Sequence, residues 1–334
     1  MGECELGRRD RPHRGCGFPC RLADVGTSVA VRSATESRPG ARFIDPRVLA
    51  RIDRLDFLAR TVVEGFIGGL HRSPYRGLSV DFAEHRQYLP GDDIRLIDWK
   101  VFGRTDRFYI KQFEADSNSN FTVLLDISRS MAFGKAGIPK IDYARYMAAC
   151  LAYFTGKQRD RIGLVTFNDD VVDYIPPSAK HLDQVLHTLD RVEPTGNSAL
   201  ERPLWKVTDA YRRRGIMVLI SDLYEPPEAV LEAVQRLGYR GHDLIVFHVL
   251  DRAEIDFDFD EAANYVDMET DAAVPVLPDR LRDRYREMVA EHIATLRAEL
   301  GPRRIDYELF DTSQPLDHAL FAYMSMRHRL TRVR

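Results

Sequence analysis

The second half of the chain alternates between short apolar runs and longer segments in which apolar residues recur at helical spacing. Between the first two runs, Ala144, Met147, Ala148, Leu151 and Phe154 recur at spacings of three and four positions, which predicts a helix packed on a sheet. Mainly apolar strands are typical of a parallel sheet covered on both faces, and four runs have this character: Phe121–Leu125, Ile162–Phe167, Ile216–Ile220 and Leu244–Val249. Ile305–Phe310 is predicted to be the last strand. The alternation predicts an α/β domain with a doubly wound, mostly parallel sheet and helices on both faces, over residues 119–328.

Three further segments complete this domain. Val171–Ile175 follows Phe167 after a short turn, which predicts an antiparallel strand at the edge of the sheet. Residues 251–277 are acidic and lack periodicity, so we expect them to be irregular. A long helix is predicted from Asp279 to Leu300.

The amino-terminal part of the chain has a different pattern. Residues 1–42 are rich in Arg, Gly, Ser and Pro without a sustained apolar period, and they are predicted to be a disordered tail. Apolar residues at helical spacing from Pro46 to about Gly68 predict one helix. Gly and Pro then separate short β-prone runs, so residues 43–118 are expected to form a helix plus a small β-rich module.

Composition narrows the class of protein. The chain is 44% hydrophobic and 30% charged, as in soluble globular proteins, and its net charge of -3 provides no basic surface for nucleic acid. No run of about 18 apolar residues is present, and residues 1–40 lack the apolar core of a signal peptide. Because Cys150 is separate from the three cysteines of the tail, no disulfide framework is predicted. We therefore expect a cytoplasmic protein.

Oxygen-bearing side chains follow the predicted strands. Asp126, Ser128 and Ser130 leave the first strand at alternate positions. Asp222 lies at the end of the strand predicted at Ile216–Ile220, which is the fourth strand in chain order when Val171–Ile175 is counted. Ser198 lies in a Gly-Asn turn before a helix. Ligands of doubly wound sheets gather outside the carboxyl ends of the strands, where the strand order reverses. If the first and fourth strands are neighbours, these five side chains converge.

An all-oxygen set with two carboxylates is suited to a hard divalent cation, namely Mg2+, Mn2+ or Ca2+, whereas softer metals prefer Cys or His. Hydroxyl ligands leave such an ion electrophilic. A carboxylate from a partner protein is therefore expected to complete its coordination.

These segments resemble the metal-ion-dependent adhesion site (MIDAS) of von Willebrand factor A-type (vWA) domains, over roughly residues 121–326. In that family an Asp-x-Ser-x-Ser motif, a Thr and a second Asp hold the ion. The resemblance implies that this role falls to Asp126, Ser128, Ser130, Ser198 and Asp222. Ser198 replaces the family's Thr, which keeps the hydroxyl but loses the methyl group that restrains the rotamer.

The preceding stretch is similar to a bacterial family, domain of unknown function 58 (DUF58). The resemblance is carried by Tyr75–Phe82 (YRGLSVDF) and Arg86–Lys100 (RQYLPGDDIRLIDWK). It implies an association with MoxR-type AAA+ ATPases. The expected function is a non-catalytic interaction module that binds a partner's Glu or Asp through the cation, with such an ATPase, in chaperone-like maturation of client proteins.

Two alternatives remain. An Asp after the first strand is also the nucleophile of metal-dependent phosphatases of the haloacid-dehalogenase type. Their mechanism uses an acid two residues later, where this chain has Ser128, and a Lys, for which Lys206 is the candidate near the relevant region. The other alternative is a scaffold that binds partners without metal.

Overall fold

The computed structural model describes most of the chain after the tail, in these ranges: residues 46–49, 52, 54–70, 84–88, 97–112, 119–135, 137–259 and 261–332. The predicted tail over residues 1–42 and the family stretch Tyr75–Phe82 lie outside the described residues.

Two helices, α1 (Pro46–Leu49) and α2 (Leu55–Leu70), begin the described part. The prediction of a single helix from Pro46 to Gly68 is wrong. The break lets Leu49 and the apolar stripe of α2 both reach the core, where Leu49 and Leu58 are fully buried. Further along, β1 (Glu84–Gln87) pairs antiparallel with β2 (Tyr109–Gln112), and helix α3 (Trp99–Thr105) lies between them in the chain.

A six-stranded sheet follows. Its strands are β3 (Asn120–Asp126), β4 (Arg161–Phe167), β5 (Val171–Ser178), β6 (Gly215–Ser221), β7 (Asp243–Leu250) and β10 (Asp306–Asp311), in the spatial order β10-β7-β6-β3-β4-β5. All neighbours are parallel except β5, which pairs antiparallel with β4 at the edge. Both the predicted doubly wound sheet and its antiparallel edge strand are confirmed.

Helices cover both faces of this sheet: α4 (Lys140–Lys157), α5 (Leu182–Asp190) and α10 (Asp317–Arg332) join α2 on one face, whereas α6 (Glu201–Ala210), α7 (Pro227–Tyr239) and α9 (Pro278–Leu300) lie on the other. Alternate residues of β3 supply the two cores. Val123 and Leu125 pack towards α4, and Leu124 packs towards α6 and α7. This two-sided burial explains why the central strands are mainly apolar.

The acidic segment between β7 and α9 is ordered, contrary to the prediction that it is irregular. Asp251 caps the short helix α8 (Arg252–Asp256) in a capping box with Glu254, and β8 (Ala263–Val266) pairs antiparallel with β9 (Ala273–Val276). Two-stranded sheets with exposed faces leave little apolar periodicity in the sequence, so the pattern gave no signal here. Among the described helices, none has the length and apolar character needed to cross a membrane.

Candidate metal centre

The two aspartates of the predicted site end neighbouring strands. β3 and β6 are paired in parallel, with Leu125 opposite Ile220, so Asp126 and Asp222 emerge at the same edge of the sheet. Strand β4 lies on the other side of β3, which makes this edge the point where the strand order reverses. Both aspartates are fully buried. The condition on which the convergence of the two aspartates depended, that their strands are neighbours, is therefore met.

Asp126 is fixed through both carboxylate oxygens. The backbone N–H of Ser128 donates to Oδ1 at 2.9 Å, and the hydroxyl of Ser221 donates to Oδ2 at 2.6 Å. Burial, and secondly the negative charge of Asp222, raise the pKa of Asp126 to about 7. The two buried carboxylates are therefore close enough for the charge of Asp222 to oppose ionisation of Asp126.

The serines of the first loop lie next to Asp126. Ser128 is buried, and its Oγ lies 3.0 Å from Oγ of Ser130, which begins to face solvent in the 3-10 turn Arg129–Ala132. One hydroxyl of this pair must donate and the other accept. The donor oxygen keeps both of its lone pairs and the acceptor oxygen keeps one, so both oxygens can still bind a cation.

The loop that carries Ser198 is tied to the loop after β3 by backbone bonds. Thr195 N–H donates to the carbonyl of Ile127 at 2.7 Å, and Arg129 N–H donates to the carbonyl of Gly196 at 3.0 Å. Gly196 has a positive φ of 72°, and a Cβ there would lie 2.5 Å from the Asn168 side chain. Glycine is thus required for this approach. Ser198 and Ser130 line the same groove.

Asp222 has a partner that the sequence analysis missed. Its Oδ2 accepts a hydrogen bond from Nζ of Lys140 at 2.9 Å, and the same ammonium donates to Oε1 of Glu254 at 2.9 Å. Burial alone would lower the pKa of Lys140, but the two carboxylates raise it above its ordinary value. The other oxygen of Asp222, Oδ1, is buried and has no hydrogen-bond partner among the described residues.

Two sequence features indicate these missed residues. Lys140 is the first residue of α4, where a cation opposes the helix dipole and so needs a compensating anion. Glu254 is the third helical residue after Asp251, the spacing of a capping box. Neither feature by itself identifies Asp222 as the partner.

Two histidines contact the backbone carbonyls of Asp222 and Leu223. A ring nitrogen of His248, Nε2, lies 2.8 Å from the carbonyl of Asp222, and Nε2 of His292 lies 2.9 Å from that of Leu223. Leu223 has a φ of 48°. These contacts fix the backbone of the turn at Asp222 and Leu223, and so fix the position of the Asp222 side chain.

The charges of the site match a divalent cation. Asp126, Asp222 and Glu254 against Lys140 leave two negative charges when all four groups are ionised. Within the described ranges, no cluster of three or more His, Cys, Asp or Glu side chains is arranged to hold a metal ion. A cation here would consequently depend on serine oxygens as well as the two aspartates, as the donor set for hard ions allows.

The fold and this site define a class: α/β domains of the vWA-like type, with polar loops at the carboxyl edge of a mostly parallel sheet. Within that class, the chain belongs to the family described as protein of unknown function DUF58, whose model matches residues 84–295.

Known relatives leave the activity open. An uncharacterized protein of Mycobacterium bovis, Mb1516, is 28% identical over 218 residues, covering 64% of this chain and 68% of that protein. Among solved structures, the conserved hypothetical protein BatB of Bacteroides thetaiotaomicron is 15% identical with a TM-score of 0.43, covering 64% of this chain and 98% of BatB. The SpRpn10 VWA domain is 12% identical with a TM-score of 0.38, covering 60% and 92%.

Proposed function

We propose that this chain is a non-catalytic protein-interaction module that binds one divalent cation, Mg2+ or alternatively Mn2+ or Ca2+, at a MIDAS-like site. The proposed ligands are Asp126, Ser128, Ser130, Ser198 and Asp222. The observation that carries the proposal is the buried, unpartnered Oδ1 of Asp222. Leaving a carboxylate oxygen dry and unbonded costs free energy, which a cation would offset.

Each group has a distinct task in this proposal. Asp126 and Asp222 supply the charge that neutralises the ion, and the serines supply neutral oxygens. Lys140 neutralises one neighbouring charge and holds Asp222 with its Oδ1 free. When bound, the cation supplies an electrophilic centre that a partner protein's Glu or Asp can coordinate.

The proposed partner is a MoxR-type AAA+ ATPase in the cytoplasm, and the proposed process is chaperone-like maturation of client proteins. This part of the proposal rests on the family resemblance alone. A pull-down that compares the wild-type chain with Asp222→Asn, each with and without a chelator, tests it. We expect a MoxR-type ATPase to be retained only by the wild type without chelator; identical partners in all four arms would contradict metal-bridged binding.

Isothermal titration calorimetry with MgCl2 and MnCl2 tests the site itself. We expect one site in the wild type and no binding heat in Asp126→Asn or Asp222→Asn. Asp251→Asn is the matched control, because Asp251 is also a buried aspartate directly after a strand, but its carboxylate caps α8 and bonds Thr312. Binding that persists unchanged in Asp222→Asn would overturn the proposal.

A phosphatase remains the second candidate because Lys140 supplies the buried lysine that such a mechanism uses. Lys206, the candidate from the sequence, lies instead on the surface beside Asp170. The acid expected two residues after Asp126 is replaced by Ser128. Hydrolysis of p-nitrophenyl phosphate by the wild type, lost in Asp126→Asn, would favour the enzyme, whereas the interaction module predicts no turnover. A metal-independent scaffold predicts no heat in the titration.

A further inference from the structure

A groove with a cavity volume of about 810 Å3 opens beside the proposed cation site, and both Ser130 and Ser198 belong to its lining. The rest of the lining is mainly apolar or aromatic: Phe133, Tyr224, Phe257, Phe259, Tyr265, Val266, Met268, Val276, Leu281, Tyr285 and Met288. Its volume lies in the range of sites that bind ligands.

The walls come from the segment between β7 and α9 and from α9 itself. On α9, Leu281, Arg284, Tyr285 and Met288 all line the groove. Their spacing of three, four and seven positions places them on one helical face. The hairpin β8–β9 contributes further lining residues, among them Val266.

Aromatic contacts hold these walls together. Phe259 lies 6.3 Å from Phe133 and 5.3 Å from Tyr265, measured between ring centroids, and Phe257 lies 4.6 Å from Tyr285. These contacts link the loop after β3, the hairpin and α9. The groove is therefore formed before any partner arrives, which lowers the entropic cost of binding.

Apolar side chains in this groove face water. Val266 is 58% exposed and Met288 is 59% exposed. A contiguous exposed apolar surface beside polar groups is typical of an interaction site.

The groove also carries charged side chains: Arg284, which has no ion pair among the described residues, and the carboxylates Glu225, Glu254, Asp267 and Glu269. Arg282 and Arg286 donate to the carbonyls of Phe259 and Asp256, which ties α9 to the preceding loop. Arg284, between them, is exposed and lines the groove. Asp267, also in the lining, is already engaged by Glu269 N–H and the Thr270 hydroxyl.

We infer that this groove binds an extended segment of a partner protein in which an acidic residue stands within a few positions of two bulky apolar residues. The acidic residue coordinates the cation, and the apolar side chains fill the aromatic groove. The inference rests on the proposed function and specifies the chemistry of its partner. A peptide segment is favoured because the groove runs from the polar loops at the cation site onto apolar walls. One segment that carries both an acidic and apolar side chains can contact both parts at once.

The test uses fluorescein-labelled peptides of about nine residues, with one Glu and two Leu or Phe residues at varied spacing in a Gly-Ser background. Matched peptides carry Gln for Glu, or Ser for both apolar residues. Fluorescence anisotropy is measured on the full chain in MgCl2 and in EDTA. Val266→Gln and Met288→Gln test the groove. Val274→Gln is the matched control, because Val274 is 55% exposed in the same hairpin but is not part of the lining.

We expect at least one spacing to bind, with affinity lowered roughly tenfold or more by either peptide change, by EDTA, and by Val266→Gln or Met288→Gln. Val274→Gln should bind as the wild type does. The inference would be overturned if the groove variants bound the peptide as tightly as the wild type, or if EDTA left binding unchanged. It would also be overturned if decanoate, a fatty acid with one carboxylate and an apolar chain, displaced the labelled peptide as effectively as unlabelled peptide does. Because Mg2+ titration is run on the same samples, loss of peptide binding with intact Mg2+ binding contradicts the groove, whereas absent Mg2+ binding contradicts the proposed function.

Discussion

The ammonium nitrogen of Lys140 lies 2.9 Å from Oδ2 of Asp222, and neither side chain is exposed to solvent. The two residues are 82 positions apart in the sequence. This ion pair joins the start of α4 to the loop after β6, and Glu254 extends it to α8. One oxygen of Asp222 is thereby neutralised while the other is left free at the centre of the site.

Loss of the Lys140 charge should destabilise the fold strongly. In Lys140→Met the alkyl volume is kept, but Asp222 and Glu254 lose their common buried partner. We expect a loss of about 3–5 kcal/mol in the free energy of unfolding, measured by urea denaturation. Lys206→Ala removes an exposed pair with Asp170 and should cost less than about 1 kcal/mol. Equal effects of the two substitutions would contradict the buried pair.

Asp126→Asn should stabilise the metal-free chain while preventing cation binding. The amide keeps an acceptor for Ser128 N–H and removes the repulsion from Asp222 that, with burial, raises the pKa of Asp126. At pH 8 in EDTA we expect a gain on the order of 1–3 kcal/mol, seen as a higher thermal midpoint. In excess Mg2+ the order of midpoints should reverse, because only the wild type is stabilised by the ligand. A lower midpoint for the variant in EDTA would count against strain between the carboxylates.

His242 should make the fold sensitive to acid. Burial lowers its pKa below the ordinary 6.5 and outweighs the smaller opposing effects of the Tyr211 and Gly215 backbone and of the Asp243 charge. A lowered pKa in the folded state means that the unfolded chain takes up a proton first, so stability falls as the pH drops through about 6.5. We expect His242→Gln to show a smaller loss between pH 7.5 and pH 5.5 in urea denaturation.

The matched control for this pH dependence is His187→Gln, since His187 lies exposed on α5. Its stability should vary with pH as that of the wild type does. A pH dependence that is the same in His242→Gln and in the wild type would show that His242 does not contribute.

Gly134 should be intolerant of a side chain. A Cβ at this position would lie 2.6 Å from Cα of Pro139, within the turn that leads into Lys140. We expect Gly134→Ala to cost about 1–3 kcal/mol, because backbone must move to relieve the overlap. It should also weaken Mg2+ binding in calorimetry. Gly65→Ala on α2, where nothing lies within 4 Å, should instead gain about 0.5–1 kcal/mol; a loss at both sites would indicate a general effect of alanine.

Much of the fold could be predicted from local pattern. The mainly apolar runs of β3, β4, β6 and β7 are confirmed as strands, because burial on both faces leaves few polar positions, and the predicted strands β5 and β10 are also confirmed. Asp126 and Asp222 were identifiable because each lies within two residues of the carboxyl end of such a run. The hairpin β8–β9 was missed, since its exposed faces remove the apolar alternation by which strands are recognised.

The sequence by itself determined which oxygens stand at strand ends, since strand direction and side-chain alternation follow from residues close together in the chain. Only the tertiary structure decided which charges surround them. Lys140 lies 82 positions from Asp222 in the sequence and 114 positions from Glu254, yet it bonds both. The groove likewise combines the loop after β3 with the hairpin and α9. Such proximity depends on how separate elements pack, and burial then turns it into strong electrostatics because water no longer screens the charges.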